Sequence, residues 1–158
     1  MSVIMKAKKK TETKKKASQR KRPFFELQVS HQIALFLGNQ PGTLAKMCKI
    51  LADAKINIYA ISTSDTIDHS VVRLVVDNPR QALHLFERRG VLAIENQVLM
   101  LDGSNQSGSL MEISKTLADA RVNIEYAYCA THPESSRGIM ILRPDNIAKA
   151  LRVLNTIK

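Results

Sequence analysis

Residues that ordinarily do chemistry are scattered along this chain. His31, His69, His84 and His132 show no metal-type spacing, and Cys48 and Cys129 form no CxxC pair. No nucleophile has a base in supporting context, no carboxylates pair on a shared face, and there is no GxGxxG or phosphate loop. The pattern argues against an enzyme and implies neither cofactor nor metal. What recurs is a glycine between small polar residues. Gln40-Pro41-Gly42-Thr43-Leu44 is answered 66 residues later by Gln106-Ser107-Gly108-Ser109-Leu110. A glycine where a strand becomes a helix lets the backbone approach a ligand and leaves the helix's first N–H groups pointing outward, an arrangement suited to a carboxylate. The competing reading is a tight turn and nothing more.

The correspondence extends well past the glycines. Leu51-Ala52-Asp53-Ala54 matches Leu117-Ala118-Asp119-Ala120, and Asn57-Ile58 matches Asn123-Ile124, without a gap. One supersecondary unit is therefore used twice. Residues 1–22 precede the first copy, which is expected over 23–96, with the second over 97–158. A unit of that size has a marginal core alone, so the copies should pack together.

The chain has 158 residues, is 44% hydrophobic and carries a net charge of +10. The charge is unevenly placed. Residues 1–22 hold ten Lys/Arg and one acid, or +9, leaving +1 for the rest. The first segment reads as a disordered basic tail, able at most to bind polyanions non-specifically. Its apolar residues Val3, Ile4 and Met5 are too few for a signal-peptide core or a membrane span, so a cytoplasmic protein is expected. Cys48 shares a helical stripe with Leu44, Met47 and Leu51, and its counterpart is Ser114. It reads as a buried thiol, which suits a reducing compartment.

Period-two alternation over Phe25–Leu37 predicts a strand, in which His31 is read as an edge or bend residue. A helix should open near Thr43, with Pro41 just before or inside its first turn, and close near Ala54-Lys55. Strands follow over Ile56–Ile61 and Val71–Val76, with a turn at Asp65–His69 between them. Pro79 opens a helix that ends at Arg88-Arg89-Gly90. The second copy repeats the order: a strand over Val98–Asp102, a helix over Ser109–Ala120, strands over Val122–Thr131 and Ile139–Leu142, and a last helix opened by Pro144-Asp145-Asn146. Two extra residues in the second hairpin are needed to align Ala150-Leu151 with Ala82-Leu83. No strand follows the last helix, so the long N-terminal strand or the Val91–Leu101 segment must close the sheets. The expected class is α+β: two ferredoxin-like βαββαβ units, antiparallel sheets with helices on one face. RNA-recognition domains share this plan but stack bases on inner-strand aromatics, and Val71–Val76 has none.

The Asn39–Leu44 corner with Ile56-Asn57-Ile58, and the Asn105–Leu110 corner with Val122-Asn123-Ile124, resemble the ACT domain, a regulatory module that binds amino acids. The resemblance covers residues 30–158. The whole chain is similar to free-standing tandem ACT proteins of bacteria. It implies a ligand between units, against the first strand-to-helix corner of one and the second strand of a neighbour. The residues implicated are Asn39, Pro41, Gly42, Thr43, Leu44, Asn57 and Ile58, with Ser107, Gly108, Ser109, Leu110, Asn123 and Ile124 in the second copy. Two features depart from the family: Lys55 and Arg121 stand where it often has Gly, and Ser107 replaces the usual Pro. Tyr126 and Tyr128, two apart on a strand, share a face. They would pack between the two sheets or wall a ligand with an apolar side chain; their counterparts Ala60 and Ser62 are small.

The resulting expectation is a non-catalytic, homodimeric sensor of a small amino acid. The alternatives are a regulatory subunit of a biosynthetic enzyme such as acetolactate synthase, and a nucleic-acid-associated protein acting through its tail.

Overall fold

A computed structural model describes residues 25–65, 69–132 and 134–157. The tail expected over residues 1–22 and the centre of the first hairpin turn lie outside the described residues. The elements are β1 (Phe25–Gly38), α1 (Thr43–Asp53), β2 (Ile58–Asp65), β3 (His69–Val76), α2 (Pro79–Glu87), β4 (Leu92–Ser104), α3 (Ser109–Asp119), β5 (Ile124–Ala130), β6 (Arg137–Pro144) and α4 (Ile147–Leu154), followed by a 3-10 turn at Asn155–Ile157.

The expected order of strands and helices is present, but it builds one sheet rather than two. Six strands run β2-β3-β1-β4-β6-β5, all paired antiparallel. The two long strands explain this. β1 and β4 pair from Phe25↔Gly103 to Phe36↔Leu92. The C-terminal part of β1 pairs with β3, and that of β4 with β6. Each long strand therefore opens one unit and closes the other. His31, in the middle of the sheet, pairs with Gln97, which is its repeat counterpart 66 residues on. A local two-fold axis passes through that pair. His31 is thus no edge residue; its Nδ1 lies 3.0 Å from Glu95 Oε1.

Helices cover one face of the sheet over two cores. Ile33, Leu35, Leu37, Leu51, Leu74 and Phe86 pack in the first. Phe25, Leu99, Leu101, Leu117, Leu142 and Leu154 pack in the second. The cross-closure shows in the packing: Val91 and Ala93 lie against the first core, whereas Phe25 and Leu27 belong with the second. On α1 the buried positions are Met47, Ile50 and Leu51. The stripe is rotated from the one expected, so Cys48 is half-buried rather than buried and Leu44 is exposed.

Helix ends follow local rules. Asn78 and Asn146 cap α2 and α4, accepting from Gln81 N at 3.2 Å and Lys149 N at 2.9 Å. Pro79 takes the first helical position of α2. α1 ends in a Schellman motif: Ile56 N donates to Leu51 O and Lys55 N to Ala52 O. α3 repeats it with Val122 N to Leu117 O and Arg121 N to Ala118 O. Lys55 (φ 58°) and Arg121 (φ 54°) hold the left-handed position themselves, so the missing glycines leave the turn intact.

The face away from the helices is concave. Tyr126 of β5 lies four strands from Arg73 of β3, about 19 Å in a flat sheet. Yet the Arg73 guanidinium sits 4.7 Å from the Tyr126 ring centroid. The sheet must curl for this to happen. Matching irregularities between Ile58/Ala60 and between Ile124/Tyr126 re-aim both edge strands.

Candidate ligand site at the second strand-to-helix corner

Both glycine corners are type II turns. Gly42 has φ 86°, ψ −11° and Gly108 has φ 95°, ψ −14°. Thr43 N donates to Gln40 O and Ser109 N to Gln106 O, each at 3.2 Å. The third residue of such a turn needs positive φ, hence Gly, and Pro41 suits the second position. The turn alone therefore accounts for each glycine. Neither helix start is capped by a side chain. The first intrahelical bonds reach back from Lys46 N to Gly42 O and from Glu112 N to Gly108 O. Leu110 and Met111 N–H thus sit in the first turn of α3, where no intrahelical acceptor exists.

The second corner offers more than these groups. Ser109 Oγ is buried and has no hydrogen-bond partner. A buried hydroxyl left unpaired costs about 1–3 kcal/mol, so its placement needs a reason. The residue lines a cavity of about 130 Å³ shared by Asn105, Ser109 and Leu110 of the corner and Cys129, Thr131 and Met140 of the β5–β6 hairpin. Asn105 ties the two walls together: its N donates to Ser136 O and its Nδ2 to Ser135 O, both at 2.9 Å. Arg137 anchors the hairpin to β4 through Nε to Asp102 Oδ1 at 2.9 Å and Nη2 to Asp102 O at 2.6 Å. Ser107 and Gly108 lie outside this cavity, along a shallow depression with Glu112 and Lys115.

At the first corner Gly42, Pro41, Asn39 and Leu44 are exposed and Thr43 is half-buried. The hairpin facing that corner includes residues 66–68, outside the described set.

Asn57, Ile58, Asn123 and Ile124 are not gathered at either corner. They stand at the starts of β2 and β5, level with the local two-fold axis. Ile58 is separated by the length of β2 from Asp65, whose partner Ser70 also faces the end of β1. That length is about 23 Å. Asn57 instead exchanges bonds with Asp77: its N donates to Asp77 Oδ2, and Asp77 N donates to Asn57 O, both at 3.1 Å. Asn123 and Asp145 do the same at 3.2 and 3.0 Å.

The tyrosines serve packing, inside one sheet. Gln32 of β1 is fully buried. Its Nε2 donates to Tyr126 Oη at 2.6 Å, and Tyr128 Oη donates to its Oε1 at 2.9 Å. Burial pushes the Tyr128 hydroxyl pKa above its ordinary value of 10.0; neighbouring Tyr126 raises it further, while Arg73 opposes the shift. Tyr128 also lines a groove of about 310 Å³ between β2 and β5, with Ile58, Ala60, Ser62, Ile139 and Ile141.

Among the described residues no group of three His, Cys, Asp or Glu could hold a metal, and no helix is long and apolar enough to cross a membrane.

Sequence inspection missed Cys129, Thr131 and Met140, which share the cavity lining with Ser109. The signal available was the two-residue insertion that sets the second hairpin apart. It is seen in the register: Ala60 pairs with Val75 while Tyr126 pairs with Arg143.

Residues 28–158 match a family model described as an ACT domain pair. No curated protein sequence matches. A solved protein from Bacteroides thetaiotaomicron is 25% identical, covers 82% of this chain and 89% of its own, and superposes with a TM-score of 0.77. The regulatory subunit of aspartate kinase from Thermus thermophilus is 23% identical over 84% of this chain and 95% of that one, with a TM-score of 0.63. Aspartokinase III from E. coli, solved with lysine and aspartate, is 18% identical, covering 89% of this chain and 34% of that one, with a TM-score of 0.55. One regulatory module used twice, joined through shared long strands and matched over 28–158, places the chain in the family of ACT domain pairs.

Proposed function

We propose that this protein is a non-catalytic, cytoplasmic sensor that binds an amino acid at its strand-to-helix corners. The observation that carries this reading is the cavity between the second corner and the β5–β6 hairpin, with Ser109 in its lining. Beside it lie the uncapped first-turn N–H groups of α3. Such N–H groups suit a carboxylate. Of the residues the resemblance implicates, Ser109, Leu110, Gly108 and Ser107 are local to this site. Thr43, Leu44, Gly42, Pro41 and Asn39 form the matching corner of the first copy. Asn57, Ile58, Asn123 and Ile124 enter only through a neighbouring chain, because within one chain they stand far from both corners. Such a neighbour is proposed as a second copy. The outer edge of β2, with Tyr59 and Ile61 exposed, supports it. Sedimentation gives the test.

A thermal-shift screen with all twenty amino acids tests the reading. A ligand at 100 times its Kd adds about 2.7 kcal/mol. Ser109→Ala then separates ligand from turn. We expect unliganded stability to hold or rise by about 1 kcal/mol, because an unpaired polar group is removed, while the shift produced by the ligand shrinks. A variant that binds like the parent removes Ser109 from the site.

A second reading has a specific support. The chain spans 95% of a stand-alone regulatory subunit of aspartate kinase. We propose that it too acts on an enzyme partner. Adding it to the catalytic chain of an aspartate kinase from the same cell should confer amino-acid-dependent inhibition; unchanged kinetics at saturating chain would dismiss that partner.

A further inference from the structure

The sheet leaves several stretches of strand edge open among the described residues. β2 and β5 are its outermost strands. β3 pairs with β1 only from Gln32 onward, so residues 25–31 have no strand on that side. β6 pairs with β4 only from Leu99 onward, so residues 92–97 have none on theirs. Unpaired edge N–H and C=O groups are a template for another strand, and folded proteins blunt them with bulges or charge. β2 and β5 each carry a register irregularity. On residues 25–31 the helix-free face shows Glu26 and Gln28, with Asp102 opposite Glu26. Residues 92–97 are different. Their pairing with β1 is regular. Their one charged residue, Glu95, lies on the helix side, 3.0 Å from His31 Nδ1. Ala93 packs on the helix side too, so Leu92 and Ile94 face away from the helices. They are 62% and 45% exposed, and Phe36, the pairing partner of Leu92, is 41% exposed. The repeat matches Leu92, Ile94 and Phe36 with Glu26, Gln28 and Asp102. An apolar patch on an open edge therefore belongs to one half alone.

Charge marks the two ends of this edge. Arg88 and Arg89 stand just before it, both exposed. Arg89 Nη1 donates to Leu85 O at 3.2 Å, and neither residue has an ion pair among the described residues. Glu87 is the acid beside them, which leaves the turn net positive. At the other end Arg143 Nη1 donates to Gln97 O at 3.5 Å, and Arg143 is held by Glu125 at 2.8 Å. The open stretch between is about 20 Å long.

We propose that residues 92–97 of β4 take an extended peptide of another protein as an added strand, antiparallel to β4, apolar at alternate positions and with a carboxylate at its C-terminal end. Main-chain bonds supply affinity in such strand addition, and side-chain contacts supply specificity. The apolar positions meet Leu92, Ile94 and Phe36. An antiparallel strand finishes beside Leu92, where its carboxylate meets Arg88 and Arg89. A second copy of this chain is a poorer occupant. Its own β4 would bring the same cations and, as its acid, a Glu95 already engaged by His31.

The probe is a display library of random decapeptides with free C-termini, selected on the full chain. Selected peptides should alternate apolar residues and end in an acidic side chain or the terminal carboxylate; no enrichment would overturn the proposal. A synthetic peptide of the selected sequence then identifies the carboxylate. Amidating its C-terminus, or replacing its last acid by the amide, should weaken binding ten-fold or more; loss in neither case would overturn the charge assignment. Ile94→Lys and Arg88→Glu, at exposed positions, should keep the parent circular dichroism and each weaken the peptide at least ten-fold, whereas Ile61→Lys on β2 should not. Parent-like affinity in the first two would place the site elsewhere. Hydrogen exchange tests the parent itself. The peptide should slow exchange several-fold within residues 92–97 and leave β2 unchanged, and protection confined to β2 or β5 would overturn the proposal. So would a dimer in sedimentation that Ile94→Lys dissociates, since a second copy would then hold this edge. None of these readouts uses an amino acid, so their failure leaves the corner reading standing.

Discussion

Gln32 is the buried polar side chain of the sheet interior, and its two partners come from three strands away. At its repeat counterpart stands Val98, which is also fully buried. The local two-fold is thus broken at one point. One half supplies an amide, the other two phenols, and Arg73 covers Tyr126 from the first half. Gln32→Leu leaves two partly buried hydroxyls without their partner. We expect a loss of about 2–3 kcal/mol by urea denaturation. Tyr128→Phe should cost about 1–2 kcal/mol, and the double variant less than the sum, since the two groups share one bond. The raised Tyr128 pKa adds a pH test. The unfolded phenol ionises near its ordinary 10.0 while the folded one resists. Between those values the unfolded state binds fewer protons, so this contribution is full below pH 10 and fades as pH rises beyond it. The stability gap between parent and Tyr128→Phe should therefore narrow above about pH 10. A constant gap would show that the hydroxyl ionises alike in both states.

Helix ends give the clearest test at the level of elements. Three helices finish in the same hydrogen-bond pattern, but only α2 has a glycine, Gly90 at φ 69°, in the left-handed position. Lys55 and Arg121 pay a Cβ penalty of roughly 1 kcal/mol there. Lys55→Gly and Arg121→Gly should each raise stability by about 0.5–1 kcal/mol and add when combined, because they sit on different helices in different cores. Unchanged or lower midpoints would mean that the long side chains do more than occupy the turn. These motifs also show what could be read beforehand. The departure at Lys55 and Arg121 was visible in the repeat. So were the β-α-β-β-α order, the Asn-Pro start of α2 and the two-residue insertion, because each depends on neighbours in sequence. The face that α1 buries was misjudged: Leu44, Cys48 and Ile50 are all apolar enough for a core, and only the tertiary packing selects Ile50. The cavity at Ser109 was half-legible. Its corner wall is local, whereas Cys129, Thr131 and Met140 reach it through hairpin geometry and edge-strand bulges that leave no periodic trace.

For the whole molecule, cross-closure makes a prediction about cooperativity. The repeat divides the chain between residues 96 and 97, yet β4 runs through that point from Leu92 to Ser104. The second core holds Phe25 and Leu27 of the first half, and β4, which opens the second unit, packs Ala93 against the first core. We propose that the halves do not fold separately and that denaturation is one transition. Leu51→Ala and Leu117→Ala truncate fully buried side chains in the first and second cores. Each should cost about 2–5 kcal/mol. Each should also move the whole curve, followed both by far-ultraviolet circular dichroism and by tyrosine emission from Tyr59, Tyr126 and Tyr128. Two transitions, with Leu117→Ala shifting only one, would show that the shared strands transmit little between the cores. The outcome bears on regulation as well. A ligand that binds beside α3 can influence the far corner only if the two ends share a folding free energy, and β1 and β4 are the elements that join them. Leu101 offers the sharper version of the test, since it is buried in the second core and pairs with Leu27 of β1. Leu101→Ala should weaken hydrogen-exchange protection along β3 as well as β6 if the sheet opens as one unit; protection lost in β6 alone would place the break between β4 and β1.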